Sequence, residues 1–360
     1  MANPLGCSRC LLSTDVPDVT IGSDGVCSVC HDYDKQWGNW NEVKADRRKD
    51  LENILNKARA KNRPYDVLVP VSGGKDSIYI LYLCRTQFNL KCLAVTWDNG
   101  FLSDHARQNI ANACARLGID HMYYGMNKDL LFKLYRLFFL KTGFFCPVCL
   151  KGMSVAVLRA QTAFDIPLHI SGTSRRTEEH VSPFYFLQDN PSFTENVLEG
   201  ESINDEASIL LEPVGLFSSP AGIKLPDYID WNYAEIYKTI KSELGWKSHT
   251  EDAEHTDCKV DEVVNYIRYI KYPPLIPEML RFSKLVTIGQ MSRKEALEKI
   301  AANKAKLHEP DNFQWFLDTL KITRENFNKV ISEPLKHMKY MKQRSPIKRR
   351  LKHLKSKLIP

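Results

Sequence analysis

The stretch DVLVPVSGGKDSIYILYL, Asp66 to Leu83, runs from a β-branched apolar segment through two glycines into helical spacing. What surrounds that junction limits the fold. KCLAVTWD, HMYYGM and IPLHISGT read as further strands, and helical runs separate them: about Ser103 to Leu117, KDLLFKLYRLFFLKTG, and KGMSVAVLRAQTAF. Strands alternating with helices predict an α/β fold with a doubly wound parallel sheet. Ligands of such sheets sit beyond the carboxyl ends of the strands. The informative residues gather there: the loop Ser72, Gly73, Gly74, Lys75, Asp76, Ser77, then Thr96 to Asn99, and Gly172 with Thr173.

The glycine loop lacks the second glycine of a G-x4-G-K-[ST] P-loop, and it is not G-x-G-x-x-G. Glycines between strand and helix still let backbone N–H groups approach an anion at the positive helix end. A phosphate site is the reading.

Ten cysteines point to metal or catalysis before disulfides in a reducing compartment. Cys7-x2-Cys10 and Cys27-x2-Cys30 each place two thiolates on one turn, and four sulfurs match tetrahedral zinc in a closed, structural site. Cys146-x2-Cys149, with Cys258 later in the chain, is a candidate second metal site. Cys84, Cys92 and Cys114 stand in apolar or helical contexts and read as core. In EHTDC (Glu254, His255, Asp257, Cys258), His255 has the ordinary pKa range for moving a proton. Arg175 and Arg176 follow a strand end and suit a diphosphate, although a solvated charge run explains them equally.

Of a net charge of +7, ten Lys or Arg lie between Pro334 and Pro360, so the remainder is near −3. A tail of that kind suits nucleic acid, anionic lipid or an acidic partner, or is a solvated end. The body lacks the basic surface that clamps nucleic acid. No apolar run spans a bilayer, and the first residues lack the layout of a secretory signal; a cytoplasmic, soluble protein is expected.

Five segments are expected: a zinc knuckle over 1–40, a solvent-facing linking helix over 41–64, a phosphate-binding α/β domain over 65–225, a helical substrate or partner region over 226–332, and the basic tail over 333–360. Within the third, 174–220 reads as an irregular acidic insertion suited to a substrate lid. MSRKEALEKIAANKA opens on a serine cap and reads as a clear helix.

The string SGGKDS after a strand resembles the PP-loop of the ATP pyrophosphatase superfamily, over about Tyr65 to Thr173. By that resemblance Ser72, Gly73, Gly74 and Ser77 would hold the β,γ-phosphates. Asp76 would orient the loop or position Mg²⁺, Lys75 would offset charge, and Asp98, Gly172 and Thr173 would line the nucleotide pocket. Pyrophosphate would leave and AMP would go to a substrate oxygen. The order DGVCSVC, VPVSGGKDS, VTWDNG, CPVC, EHTDC, SRKEAL is also similar to the N-acetyl sugar amidotransferases of the WbpG/PseA type, enzymes of O-antigen (lipopolysaccharide) and flagellin-sugar synthesis. That similarity implies adenylation of an N-acetyl group on a nucleotide-sugar or related sugar, followed by ammonia attack to give an acetamidino sugar. It also implies ammonia from a separate glutaminase subunit with a cyclase-like partner. Set against this, Cys146, Cys149 and Cys258 resemble the iron–sulfur cluster site of tRNA 2-thiolation enzymes, which also join a PP-loop to zinc knuckles; by that resemblance three thiolates would leave one cluster iron open.

Overall fold

The computed structural model describes residues 6–16, 19–177, 191–202, 207, 221–248, 257–271 and 276–333. The chain divides into two compact units. The larger holds Met1–Met126, Gly152–Ser182 and Val214–Phe316; the smaller holds Asn127–Lys151, Pro183–Pro213 and Leu317–Pro360.

The larger unit is built on five parallel strands: β1 Val67–Pro70, β2 Cys92–Asp98, β3 Asp120–Gly125, β4 Leu168–Ser171 and β5 Ala221–Lys224. Their order is β3-β2-β1-β4-β5. Val67 pairs with Cys92 on one side and with Leu168 on the other, so the direction of winding reverses at β1. The parallel doubly wound sheet is therefore as expected, with one strand more. AGIK is too short and too mixed in polarity to announce itself; pairing with β4 makes it a strand.

Alternation along β1 sends Val67 and Val69 into the main core and Leu68 to the opposite face, as a two-residue period requires. The helices of this unit are α1 Ser28–Trp37, α2 Trp40–Arg59, α3 Lys75–Thr86 and α4 Asp104–Leu117, then α6 Cys146–Ala163, α8 Tyr233–Leu244 and α9 Asp261–Lys271, and finally α10 Pro277–Thr287, α11 Arg293–Ala305 and α12 Phe313–Leu320. Two of these, α6 and α12, cross the unit boundary. Local chemistry sets several ends. Ser103 caps α4 by accepting from Ala106 N, and Gly118 closes it in the left-handed conformation. The serine cap expected before RKEALEKIAANKA is Ser292, accepting from Glu295 N at 3.1 Å.

The linking helix, α2, is not simply solvent-facing: Leu51, Leu55 and Ala58 are buried in the main core, four and three residues apart on one stripe. Among the described residues no helix is long and apolar enough to cross a membrane.

The smaller unit contains α5 Lys128–Thr142, α7 Pro191–Leu198 and α13 Arg324–Ser332. Phe139 stacks on Phe327 at 5.7 Å and Phe138 meets Phe193 edge-on at 6.1 Å, joining the three helices through aromatic contacts.

Candidate nucleotide site and four-cysteine centre

β1 ends at Pro70, and Val71 N still donates to Val95 O at 2.8 Å, so the chain leaves the sheet at Ser72. Gly73 takes φ +86°, and a Cβ there would lie 2.6 Å from Ala106 O of α4. Only glycine fits both demands. The Gly73 carbonyl points inward, accepting from Trp246 Nε1 at 2.9 Å and Asn109 Nδ2 at 3.3 Å. That keeps a carbonyl dipole away from the first N–H groups of α3, which have no partner within the helix.

Gly74 is the extended residue before α3. Ser77 Oγ donates to Gly74 O at 3.0 Å and accepts from Ser72 N at 3.2 Å, while Ser72 Oγ accepts from Gly74 N at 3.3 Å. The two hydroxyls thus stitch the turn at the start of α3.

Lys75 is only 2% exposed; its Nζ donates to Asp76 Oδ2 at 2.9 Å and lies 5.2 Å from the Tyr233 ring centre. Asp76 Oδ1 is buried with no hydrogen-bond partner among the described residues. A buried carboxylate oxygen left this way accounts for itself once a cation or donor is bound beside it. Gly172 permits the close approach of β4 to α3, because a Cβ there would meet Ile80 Cδ1 at 2.8 Å and Asp76 Cβ at 3.3 Å. Loop and Gly172 therefore flank the β1/β4 reversal, where ligands of doubly wound sheets bind.

The remaining expected residues have mixed placements. Asp98, at the end of β2, accepts from Gly100 N at 3.1 Å and faces Arg107 Nη2 at 3.4 Å. Thr173 and Arg175 are exposed. Arg176 is buried: Nε donates to Pro226 O at 2.7 Å, Nη2 to Ile229 O at 2.6 Å, and the guanidinium stacks 3.8 Å from the Trp40 ring centre. Burial pulls its pKa down, against the nearby Tyr33, Asp227 and Asp230. Its donors are committed to protein carbonyls, which is a structural task. His255 and most of the insertion over 174–220 lie outside the described residues, as does the basic tail except its first residue.

Three residues stand beside the loop without any motif assigning them there. Trp246 and Asn109 hold Gly73 from other parts of the chain. Asp257 is the third: Ser103 N donates to Asp257 O at 2.9 Å, and a Cβ on Gly74 would stand 3.6 Å from Asp257 Oδ2. The acidic EHTDC string was the available signal, but it does not say which residue reaches the loop.

At the N-terminus, Cys7, Cys10, Cys27 and Cys30 are fully buried, and their sulfurs all lie within 4.8 Å of one another. Backbone N–H groups of Cys10 and Cys27 point at Cys7 Sγ at 3.4 and 3.3 Å, and that of Cys30 at Cys27 Sγ at 3.4 Å. Such donors stabilise thiolates. Hydrogen bonding to Cys27 and Cys30, and then burial, hold the Cys10 thiol far above its ordinary range. Four crowded, buried sulfurs converging on one point suit a cation that takes them all as thiolates. The four-cysteine cluster can therefore hold a metal ion.

Cys146 and Cys149 occupy the first turn of α6 in the smaller unit, and α6 begins there rather than after the pair. Cys258 belongs to the larger unit, in an antiparallel bridge with Leu102. All three are partly exposed, whereas Cys84, Cys92 and Cys114 are buried in the core as expected.

Residues 255–355 match the family model described as LPS biosynthesis protein WbpG-like, C-terminal domain. The expected resemblance to WbpG-type proteins is found over that stretch, and the match runs into the basic tail. An uncharacterized protein of Methanocaldococcus jannaschii is 29% identical over 125 residues, 34% of this chain and 43% of the relative, so the match spans less than half of that relative's length. Two solved structures are similar. The U34-tRNA thiolase NcsA of Methanococcus maripaludis, with its 4Fe-4S cluster, has 17% identity and a TM-score of 0.33, covering 67% of this chain and 78% of its own. NMN synthetase of Francisella tularensis has 10% identity and a TM-score of 0.34, covering 74% and 94%.

Proposed function

We propose that this chain, WbpG-like over its C-terminal 255–355, is an ATP-dependent, AMP-forming amidotransferase acting on an N-acetylated sugar. The observation that carries the reading is the SGGKDS loop, similar in sequence to a PP-loop, at the sheet's reversal point in the same chain as that C-terminal match. Ser72, Gly73, Gly74 and Ser77 would bind the β,γ-phosphates through backbone N–H and hydroxyl groups, with Asp98, Gly172 and Thr173 lining the nucleotide pocket.

An amide oxygen is a poor leaving group. The N-acetyl oxygen would attack the α-phosphorus of ATP and expel pyrophosphate, whose growing charge the loop donors stabilise. Ammonia would then add to the imidate carbon and AMP would depart with the oxygen, leaving an acetamidino sugar. His255 is assigned the proton transfer, and Arg175 a contact with the sugar's diphosphate. Mg²⁺ beside Asp76 would neutralise polyphosphate charge when bound, and Lys75 would offset the rest. Zn²⁺ is assigned to the four cysteines as a structural ion. Free ammonia is scarce near neutral pH, so a separate glutaminase with a cyclase-like conduit is the proposed supplier, in the cytoplasm.

The experiment incubates candidate nucleotide-sugars with the protein, ATP and ammonium, followed by mass spectrometry. AMP, pyrophosphate and a sugar lighter by the difference between O and NH are expected, and Asp76→Ala should abolish all three. Orthophosphate with ADP and no AMP overturns the reading. One competitor is a tRNA thiolase that would use Cys146, Cys149 and Cys258, all partly exposed, as cluster ligands. That enzyme would show cluster absorption after anaerobic purification and ATP turnover stimulated by tRNA.

A further inference from the structure

We infer that Asp257 is a cation-holding residue of the nucleotide site, delivered to the glycine loop by the C-terminal part of the chain. The inference rests on the ATP-binding reading above and deepens it.

Three contacts fix the position of Asp257. Its carbonyl accepts from Ser103 N at 2.9 Å, Lys259 N donates to Phe101 O at 2.7 Å, and Cys258 bridges Leu102 between them. Ser103 in turn caps α4, the helix whose Ala106 lies under Gly73. Backbone pairing thus ties Asp257 to the same support as the loop, and places its carboxylate next to Gly74. The side chain is half-buried, and among the described residues it makes no hydrogen bond or ion pair.

A carboxylate beside the N-terminus of a helix is favourable when the site holds no other anion. It becomes unfavourable when a polyphosphate enters, because two anions then share one pocket. A divalent cation between them reverses that sign, and hard oxygen ligands are what Mg²⁺ takes. Asp76 Oδ1, buried and unpartnered at the same loop, is the natural companion ligand. The consequence is specific: the carboxylate should oppose bare ATP and favour ATP with its cation.

The test is calorimetric titration of the full chain with ATP, with Mg²⁺ and in chelator, for wild type, Asp257→Asn and Asp257→Glu. For Asp257→Asn we expect Mg²⁺-ATP affinity to fall about tenfold while affinity for ATP in chelator is unchanged or rises. Asp257→Glu should recover part of the Mg²⁺ dependence. Equal affinities for wild type and Asp257→Asn under both conditions would overturn the inference. So would tighter binding by Asp257→Asn under both, which would make the carboxylate a plug that ATP must displace. Thermal denaturation of each variant reports whether it is folded, and if the asparagine variant is not, the glutamate variant carries the comparison. Wild type that binds no ATP at all would instead defeat the ATP reading itself.

Discussion

Trp246 Nε1 donates to the carbonyl oxygen of Gly73 at 2.9 Å, across 173 positions of chain. The contact sets the turn of the glycine loop from outside the β-α unit that forms it. Trp246→Phe keeps an aromatic ring but removes the donor, leaving Asn109 Nδ2 at 3.3 Å as the remaining one. Stability should fall by about 1 kcal/mol, the net worth of one buried hydrogen bond. ATP affinity should fall with it, because the carbonyl is then free to turn toward the phosphates. Urea melts and ATP titration check both.

Gly73→Ala meets two penalties together, a positive φ and an overlap with Ala106 O at 2.6 Å. The two come to about 2–5 kcal/mol. The loop must shift, and ATP binding should be lost even where the protein still folds, as circular dichroism and titration will show.

Arg176→Lys separates the structural task of this residue from a substrate contact. Lysine cannot reproduce a fork onto two carbonyls plus a stack on Trp40. A loss of about 2–3 kcal/mol is expected in denaturant unfolding. Arg175→Ala, an exposed change, should leave stability unaltered and raise KM for the sugar if it meets the diphosphate.

Loss of the cysteine-bound metal should loosen more than the knuckle. Arg293 Nε and Nη2 donate to the carbonyls of Cys10 and Cys7 at 3.1 and 3.3 Å, and Leu11 N donates to Ser283 Oγ at 3.3 Å. Helices α10 and α11 are therefore held by the backbone that a metal in the four-cysteine centre would organise. Cys27→Ser, or chelation, should lower Tm by about 10 °C or more. Metal analysis should find one ion per chain in wild type and less than one in the variant.

Stability should decline in mild acid. Burial lowers the pKa of both His121 and His169 from 6.5. The unfolded chain takes up these protons as pH falls through about 6.5 while the folded chain does not, so protonation favours unfolding. The contribution is full above that pH, shrinks below it, and levels off once pH passes the folded values. Urea midpoints at about pH 5.5 and pH 7.5 should differ for wild type, and less for His121→Asn. His169 Nδ1 is bonded to Gln161 Oε1 at 2.9 Å, so His169→Asn should show the same flattening with some loss of stability.

Local chemistry made much of this protein readable from its residues. Four strands, the SGGKDS turn, the C-x2-C pairs and the Ser292 cap each depend on neighbours within a few positions, where side-chain period, glycine and capping hydroxyls act directly. Tertiary contact decided the rest. β5 exists because β4 offers an edge, α2 buries Leu51 and Leu55 because a core lies beneath them, and Arg176 serves the interior because Pro226 and Ile229 present carbonyls to it. Asp257 and Trp246 reach the loop only through tertiary contacts from distant parts of the chain. A motif specifies the geometry its own few residues can enforce; which distant side chain arrives beside it is settled by packing and backbone pairing between segments far apart in the chain.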